Sequence, residues 1–235
     1  MTNLAAAVVF DLDGTLTDSQ TGIVRSARYA LERLNAADGA DFPIPPEREM
    51  TWIVGPPLRG TFAKLVGAER AERALGFFRE RYSTIGLFEN APYDGVVAAL
   101  EDLAARGYRR FVATSKVEVD ARRILDHFDL TRHFDGVYGS EVDGGRSVKR
   151  DLLAYLLARE RAGAPQRAVM IGDRRFDVEG ARAVGLPTIG ALWGYGGAEE
   201  LAAAGADPLI ETPQEIPAAV AMALARAAQT TPRES

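Results

Sequence analysis

The chain has 235 residues, of which 47% are hydrophobic and 26% are charged, a composition typical of a globular protein. Its formal net charge of −5 disfavours binding to nucleic acids or to anionic membranes, because both functions need a basic surface. The absence of cysteine excludes disulfide bonds, thiolate metal sites and cysteine nucleophiles. Carboxylates, by contrast, are plentiful, with 33 Asp and Glu residues.

The amino terminus does not have the pattern of an export signal. The first ten residues, MTNLAAAVVF, have no basic start and run directly into Asp11. The sequence has no apolar run of about 18 residues, the length that would indicate a transmembrane helix. We therefore expect a cytoplasmic protein.

The first part of the chain combines one strand with a long helical region. AAAVVF at residues 5–10 is a short apolar run that ends abruptly at Asp11, which is typical of a buried strand. The next segments show helical spacing of apolar residues, interrupted by Gly and Pro. They are a helix at 17–35, a loop at 36–46, helices over 46–85 with breaks at Gly55-Pro56-Pro57 and at Gly67, and a loop at 86–93.

From Asp94 onward, short apolar runs alternate with amphipathic segments. The predicted strands are at 111–114, 136–139, 168–172, 187–191 and 208–211. The predicted helices are at 94–106, 117–128, 148–161, 175–184 and 213–227. This alternation predicts an α/β fold, a doubly wound, Rossmann-like parallel sheet with helices on both faces.

The first strand is separated from the others by about 70 helical residues, too many for a simple crossover between neighbouring strands. We therefore predict a discontinuous core domain, residues 1–17 and 91–235, with an inserted all-helical domain at residues 18–90.

Polar residues follow several predicted strands at their carboxyl ends, where open parallel sheets bind ligands. They are Asp11, Asp13, Gly14 and Thr15 after the first strand, Thr114, Ser115 and Lys116 after the second, and Asp173 and Asp177 after AVMIG. Lys149 opens the helix before that last strand. A single Asp at such a place is often a turn or cap residue, but two acidic pairs at one sheet edge indicate a functional site.

These segments, in this order, resemble the motifs of the haloacid dehalogenase superfamily. The matching residues are DLDGTLTDS (11–19), ATSK (113–116), Lys149 and GDRRFD (172–177), and the insert resembles that superfamily's helical type 1 cap. GVYGSE (136–141) and LWGYG (192–196) are similar to phosphoglycolate phosphatases. VGPPL (54–58) is similar to a 5′-nucleotidase-like branch.

The resemblance implies that Asp11 is a nucleophile that forms an aspartyl-phosphate. Asp13, two residues on in an extended segment, would approach from the other side as acid and then as base. The implied cofactor is Mg²⁺, bound by the side chains of Asp11 and Asp173 and by the main-chain carbonyl of Asp13. Asp177 would be a weak or indirect ligand.

Further residues are expected to contact the phosphoryl group or the rest of the substrate. Thr114 would donate its hydroxyl, the main-chain amides of Ser115 and Gly14 would complete the cradle, and Lys149 would balance the charge. Other candidates are Lys116 and, in the cap, Gly55, Pro56 and Arg59. Trp52 is either a base-stacking or a core residue, and Arg146 either assists Lys149 or is solvated.

The expected function is Mg²⁺-dependent hydrolysis of a small phosphate monoester, phosphoglycolate-like or a nucleoside 5′-monophosphate, by a monomer or homodimer. A sugar-phosphate mutase, a phosphotyrosine phosphatase and a pyrophosphatase would share these motifs. A dehalogenase would need no Mg²⁺, and the helical insert disfavours a response-regulator receiver. A binding module without activity is disfavoured because every acid is present.

Overall fold

The computed structural model describes residues 5–55, 58–142, 144–162 and 167–230. The chain forms two compact units, one of residues 1–17 and 92–235 and the other of residues 18–91. Among the described helices, none is both long enough and apolar enough to cross a membrane.

Strands are concentrated in the first unit. Those in the described residues are β1 (Ala7–Phe10), β2 (Thr17–Asp18), β3 (Ala91–Pro92), β4 (Arg109–Val117), β5 (Gly136–Ser140), β6 (Ala168–Gly172), β7 (Thr188–Ala191) and β8 (Leu209–Ile210). The described helices are α1 (Gln20–Asp38), α2 (Leu58–Val66), α3 (Ala68–Arg81), α4 (Val96–Ala105), α5 (Glu118–His127), α6 (Lys149–Glu160), α7 (Arg175–Ala183), α8 (Gly197–Ala204) and α9 (Ile216–Thr230). The chain passes between the units at β2 and β3, which pair with each other.

The main sheet has the strand order β5-β4-β1-β6-β7-β8, and its neighbouring strands are parallel. The chain builds outward from β1 to β4 and β5, then returns to the other side of β1 for β6, β7 and β8. This reversal makes the sheet doubly wound and opens a crevice at the carboxyl ends of β1 and β6. The predicted fold class is confirmed.

Strand β1 lies at the centre of the sheet, and its four residues are fully buried. Val9 pairs in register with Phe111 of β4 and Met170 of β6. These three side chains belong to one apolar cluster with Leu152, Leu153 and Leu156 of α6. Helix α6 therefore covers the sheet face that carries Val9.

The second unit contains α1, α2, α3 and a π-helical turn at Tyr82–Gly86. The ring of Phe78 packs against the edge of Phe62 and stacks on Tyr82. Two short 3₁₀ turns, Glu47–Glu49 and Thr51–Ile53, replace the α-helix predicted there. Pro46 and Gly55, whose φ is +102°, confine this segment and leave too little room for an α-helix.

Two other elements of the first unit differ from the prediction. Strand β4 starts two residues earlier than predicted because Arg109 lies over the ring of Phe111 and pairs with Glu160, so a charged residue fits in the strand. Helix α8 was not predicted, since its Ala-rich sequence follows directly on the Gly-rich segment 194–197.

Two glycines of the second unit give a matched pair of stability tests. A Cβ on Gly22 of α1 would lie 1.9 Å from the carbonyl oxygen of Gly86, whereas a Cβ on Gly76 of α3 would meet no atom within 4 Å. We expect Gly22→Ala to lower the unfolding temperature by about 4–10 °C through overpacking. Gly76→Ala should raise it by about 2–4 °C, because Ala favours the helix. Calorimetry measures both, and changes of the same sign would contradict the predicted packing.

Candidate active site

The alternation of side chains along β1 places Asp11 on the face that α6 covers. Ala7 and Val9 pack against α6, and Asp11 follows at the same two-residue spacing. Lys149 is the first residue of α6. Its Nζ lies 2.9 Å from Asp11 Oδ1. The strand period and the start of one helix thus bring the two charges together.

Lys149 is buried and makes three polar contacts through one ammonium group. Its Nζ donates to Asp11 Oδ1 and, at 2.8 Å, to the main-chain carbonyl of Ala113 in β4, and it lies 2.7 Å from Asp177 Oδ1. Burial alone would lower the pKa of Lys149, but the two carboxylates outweigh it and hold the pKa above its usual range. Lys149 is therefore a fixed positive charge.

Asp173 is fully buried just after β6, where both of its carboxylate oxygens are held. The hydroxyl of Thr15 donates to Oδ1 at 3.2 Å, and the main-chain amide of Tyr195 donates to Oδ2 at 2.8 Å. Burial, followed by repulsion from Asp177 and Asp11, raises the pKa of Asp173 well above its ordinary value. A cation beside it would relieve this repulsion.

Asp177 lies in the first turn of α7, where it combines two contacts. Its Oδ2 accepts a hydrogen bond from the main-chain amide of Arg174 and so caps the helix, while its Oδ1 faces Lys149. Burial raises the pKa of Asp177, Lys149 opposes that rise, and Asp11 adds to it. The side chain both holds Lys149 and adds to the negative charge.

Asp11, Asp173 and Asp177 each present a carboxylate oxygen within 4.8 Å of the other two, which is the spacing of a metal site. Close by along the chain, Asp13 pairs with Lys116 at 3.1 Å. These four acids are matched by two ammonium groups, Lys116 and Lys149. A divalent cation that prefers oxygen ligands fits these carboxylate donors and would offset the excess of negative charge.

The end of β4 leaves the regular ladder next to this cluster. Ala113 pairs with Tyr138 and Val117 with Ser140, so Thr114, Ser115 and Lys116 bulge opposite a single residue, Gly139. A Cβ on Gly139 would lie 2.7 Å from the carbonyl oxygen of Lys116, so only glycine permits this bulge.

The bulge sets the directions of the polar groups that it carries. The main-chain amide of Lys116 donates to Thr114 Oγ1 at 3.2 Å, which leaves the buried Thr114 hydroxyl proton free to point elsewhere. Ser115 is exposed. Thr114 is thus a hydroxyl donor at the carboxyl edge of the sheet.

The main-chain amide of Gly14 is already engaged within the protein. This amide, expected to bind a phosphoryl oxygen, donates instead to the carbonyl of Thr17 at 2.8 Å. The glycine is required for another reason, since its φ is +83° and a Cβ would lie 2.2 Å from Asp173 Oδ2. Gly14 lets the β1 loop approach Asp173.

The remaining candidates make contacts outside this acid cluster or lie outside the first unit. Gly55 and Arg59 belong to the second unit, where Arg59 pairs with Glu72, and Pro56 lies outside the described residues. Trp52 of that unit is half-exposed, which excludes a core role. Arg146 pairs with Glu141 and lies 4.4 Å from the ring centre of Tyr155, and its side chain is 26% exposed, so it is only partly solvated.

Sequence reasoning missed the contacts that hold Asp173. The amide of Tyr195 and the hydroxyl of Thr15 both bind its carboxylate, and the indole Nε1 of Trp193 donates to the Thr15 carbonyl at 3.0 Å. In the sequence, the segment LWGYG is distinguished only by its resemblance to phosphoglycolate phosphatases. Its signal in the sequence was a polar-aromatic, Gly-rich stretch after a strand that ends at the same sheet edge.

A family model described as haloacid dehalogenase-like hydrolase matches residues 8–191 of the chain. The chain belongs to this family. A solved structure of a predicted phosphatase from Clostridium acetobutylicum is similar to it, with a TM-score of 0.84 and 37% identity, covering 94% of this chain and all of that one.

Several named proteins are similar to the chain in sequence. The 5′-nucleotidase of Pseudomonas aeruginosa is 42% identical over 83% of this chain and 86% of its own length. The phosphoglycolate phosphatase of Aquifex aeolicus is 30% identical over 80% and 85%. The tyrosine-protein kinase PtkA of Mycobacterium tuberculosis is 46% identical over 82% of this chain, but the matched part spans only 64% of the kinase.

Because the buried acids repel one another, we expect ionised Asp173 to destabilise the metal-free protein. The raised pKa of Asp173 means that stability is lost as pH rises from its unfolded value of 3.8 through the folded value. In EDTA at pH 8, Asp173→Asn should therefore unfold about 3–6 °C above wild type, and the gap should shrink at pH 4.5. Asn can still accept from the Tyr195 amide.

An exposed acid of the second unit, Asp41, provides the control. Asp41→Asn should leave the unfolding temperature within about 1 °C of wild type at both pH values. A lower unfolding temperature for Asp173→Asn at pH 8 would show that the acid cluster is balanced without a cation.

Proposed function

We propose that the protein hydrolyses small phosphate monoesters through a phosphorylated Asp11. The observation that carries this proposal is a division of the four acids by exposure. The side chains of Asp11 and Asp13 are 14% and 22% exposed, whereas Asp173 and Asp177 are buried. Only the first pair is accessible to a substrate, so the reacting roles fall to Asp11 and Asp13.

Asp11 and Asp173 are the residues that would hold Mg²⁺, with the main-chain carbonyl of Asp13 as a further donor. When bound, Mg²⁺ would neutralise charge on the phosphoryl oxygens and so admit a dianionic ester to an acidic site. Asp177 remains engaged with Lys149 at 2.7 Å and supports the site by holding that lysine.

In the first step, an Asp11 carboxylate oxygen attacks phosphorus, and the ester P–O bond breaks as the Asp11–phosphorus bond forms. Asp13 gives its proton to the departing alkoxide. Lys149 balances the charge beside Asp11, and the Thr114 hydroxyl donates to a phosphoryl oxygen. These donors are fixed before the reaction by the contacts described above.

In the second step, Asp13 takes a proton from water, which attacks phosphorus and releases inorganic phosphate and the free Asp11 carboxylate. The support for this role is an unmet hydrogen-bonding capacity: Asp13 Oδ1 is buried and has no hydrogen-bond partner among the described residues, so a water molecule that reaches it would fill that place. The other oxygen, Oδ2, is held by Lys116. One oxygen is thus fixed while the other is available to a proton.

Nucleoside 5′-monophosphates and phosphoglycolate-like compounds are the proposed substrates. This choice is supported by similarity to the 5′-nucleotidase and the phosphoglycolate phosphatase named above. The second unit, which follows the first motif as a helical insert, is proposed to select among them.

Phosphoryl transfer to a protein tyrosine is a second candidate, favoured by the 46% identity to PtkA. The same phosphorylated Asp11 would then pass its phosphoryl group to a phenol instead of to water. ATP with a tyrosine-containing peptide tests this candidate, since a kinase forms ADP and phosphotyrosine in equal amounts, whereas a phosphatase releases free phosphate.

Metal dependence tests the proposed function directly. After dialysis against EDTA, we expect no release of phosphate from a panel of 5′-nucleotides, phosphoglycolate and p-nitrophenyl phosphate, and full recovery with Mg²⁺. Ca²⁺ should restore little activity, because its longer, looser coordination misplaces the phosphate. Full activity in the chelator would contradict the proposed site.

Asp11→Asn should reduce kcat by at least about 10⁴-fold, since an amide is a poor nucleophile. The amide oxygen still accepts from Lys149, so the unfolding temperature should change little. Asp41→Asn is the matched control and should keep wild-type kcat. Rapid acid quench and mass spectrometry should find a phosphorylated Asp11 peptide in wild type, and a phosphorylated peptide elsewhere would reassign the nucleophile.

A further inference from the structure

The segment after β7, residues 193–195, lies against Asp173 and against the loop that follows β1. Trp193 Nε1 donates to the main-chain carbonyl of Thr15 at 3.0 Å, and the Tyr195 amide donates to Asp173 Oδ2 at 2.8 Å. Between them, a Cβ on Gly194 would lie 2.3 Å from Asp173 Cβ and 2.4 Å from the carbonyl oxygen of Gly14. We call residues 193–195 the clasp.

The clasp holds Asp173 by two routes. The direct route is the Tyr195 amide on Oδ2. The indirect route runs from Trp193 to the Thr15 carbonyl and from the Thr15 hydroxyl to Asp173 Oδ1 at 3.2 Å. Each carboxylate oxygen therefore has one donor, and both donors depend on the clasp.

Such donors matter because Asp173 lies beside two other acids. Without fixed partners, repulsion would turn its carboxylate away from Asp11, and the two oxygens needed for one cation would separate. The indole also packs its edge against Tyr93, with ring centres 6.5 Å apart, so its place does not depend on Thr15 alone.

We infer that Trp193 is a positioning residue for the cation site, acting through Thr15 to hold Asp173 in the orientation that binds metal beside Asp11. This inference rests on the proposed function, and it assigns to Trp193 an indirect role that acts through Thr15. Tyr195 contributes through its main-chain amide.

Trp193→Phe isolates the indole N–H, because it keeps an aromatic ring against Tyr93 and removes only the donor and one ring. Isothermal titration of the full chain with Mg²⁺, without substrate, should show about tenfold weaker binding than wild type. At saturating Mg²⁺, KM for p-nitrophenyl phosphate should stay within about twofold. Wild-type Mg²⁺ affinity in this variant would overturn the inference, even if the unfolding temperature falls.

Trp52→Phe is the matched control, since Trp52 is the other of two tryptophans and lies half-exposed in the second unit. It should bind Mg²⁺ as wild type does. In this variant Trp193 is the sole indole, and we expect its fluorescence to change as Mg²⁺ binds. Constant fluorescence with saturable binding in the calorimeter would count against coupling between Trp193 and the site.

Thr15→Val removes the hydroxyl on the indirect route and answers the question if Trp193→Phe does not fold. It should also weaken Mg²⁺ binding, and the double variant should lose less than the product of the two single effects. Unchanged affinity in Thr15→Val would overturn the inference. Absence of saturable Mg²⁺ binding in wild type would be a different result, one that rejects the proposed function itself.

Discussion

The buried ammonium of Lys149 is the contact on which the rest of the site depends. One nitrogen contacts Asp11 after β1, the Ala113 carbonyl of β4 and Asp177 of α7, and so ties three elements to the start of α6. A buried charge is tolerated only when it is paired and hydrogen-bonded. The apolar packing of α6 on the sheet therefore fixes the charge, and the charge fixes the acids.

Burial then separates the acids into two kinds. The carboxylates of Asp173 and Asp177 are held by other protein groups. Thr15 and Tyr195 donate to Asp173. Arg174 and Lys149 hold Asp177. Asp11 and Asp13 remain partly exposed, and Asp13 Oδ1 has no hydrogen-bond partner in the part of the chain that the structure describes. Two buried, firmly held acids thus lie close to two accessible carboxylates, and a cation is needed to offset their combined charge before an anionic ester can bind.

The sequence was sufficient for the sheet and for the acids at its edge, because both follow from short-range rules. Apolar runs predicted the strands, and the acids that follow those runs were predicted to meet at the carboxyl edge of the sheet. The missing parts depend on contacts distant along the chain. The bulge at Thr114–Lys116 needs Gly139, and the turn at Gly14 is required by its close approach to Asp173. The Trp193 contact joins residues 178 positions apart.

The pairing of β2 with β3 has an evolutionary consequence. The chain leaves the first unit at Thr17 and returns at Pro92 through two strands bonded to each other, so the ends of the insert are already side by side. Closing a loop between adjacent ends carries a penalty that grows only slowly with loop length. The paired strands therefore allow helical inserts of different length to be accommodated at this junction without a change in the main sheet.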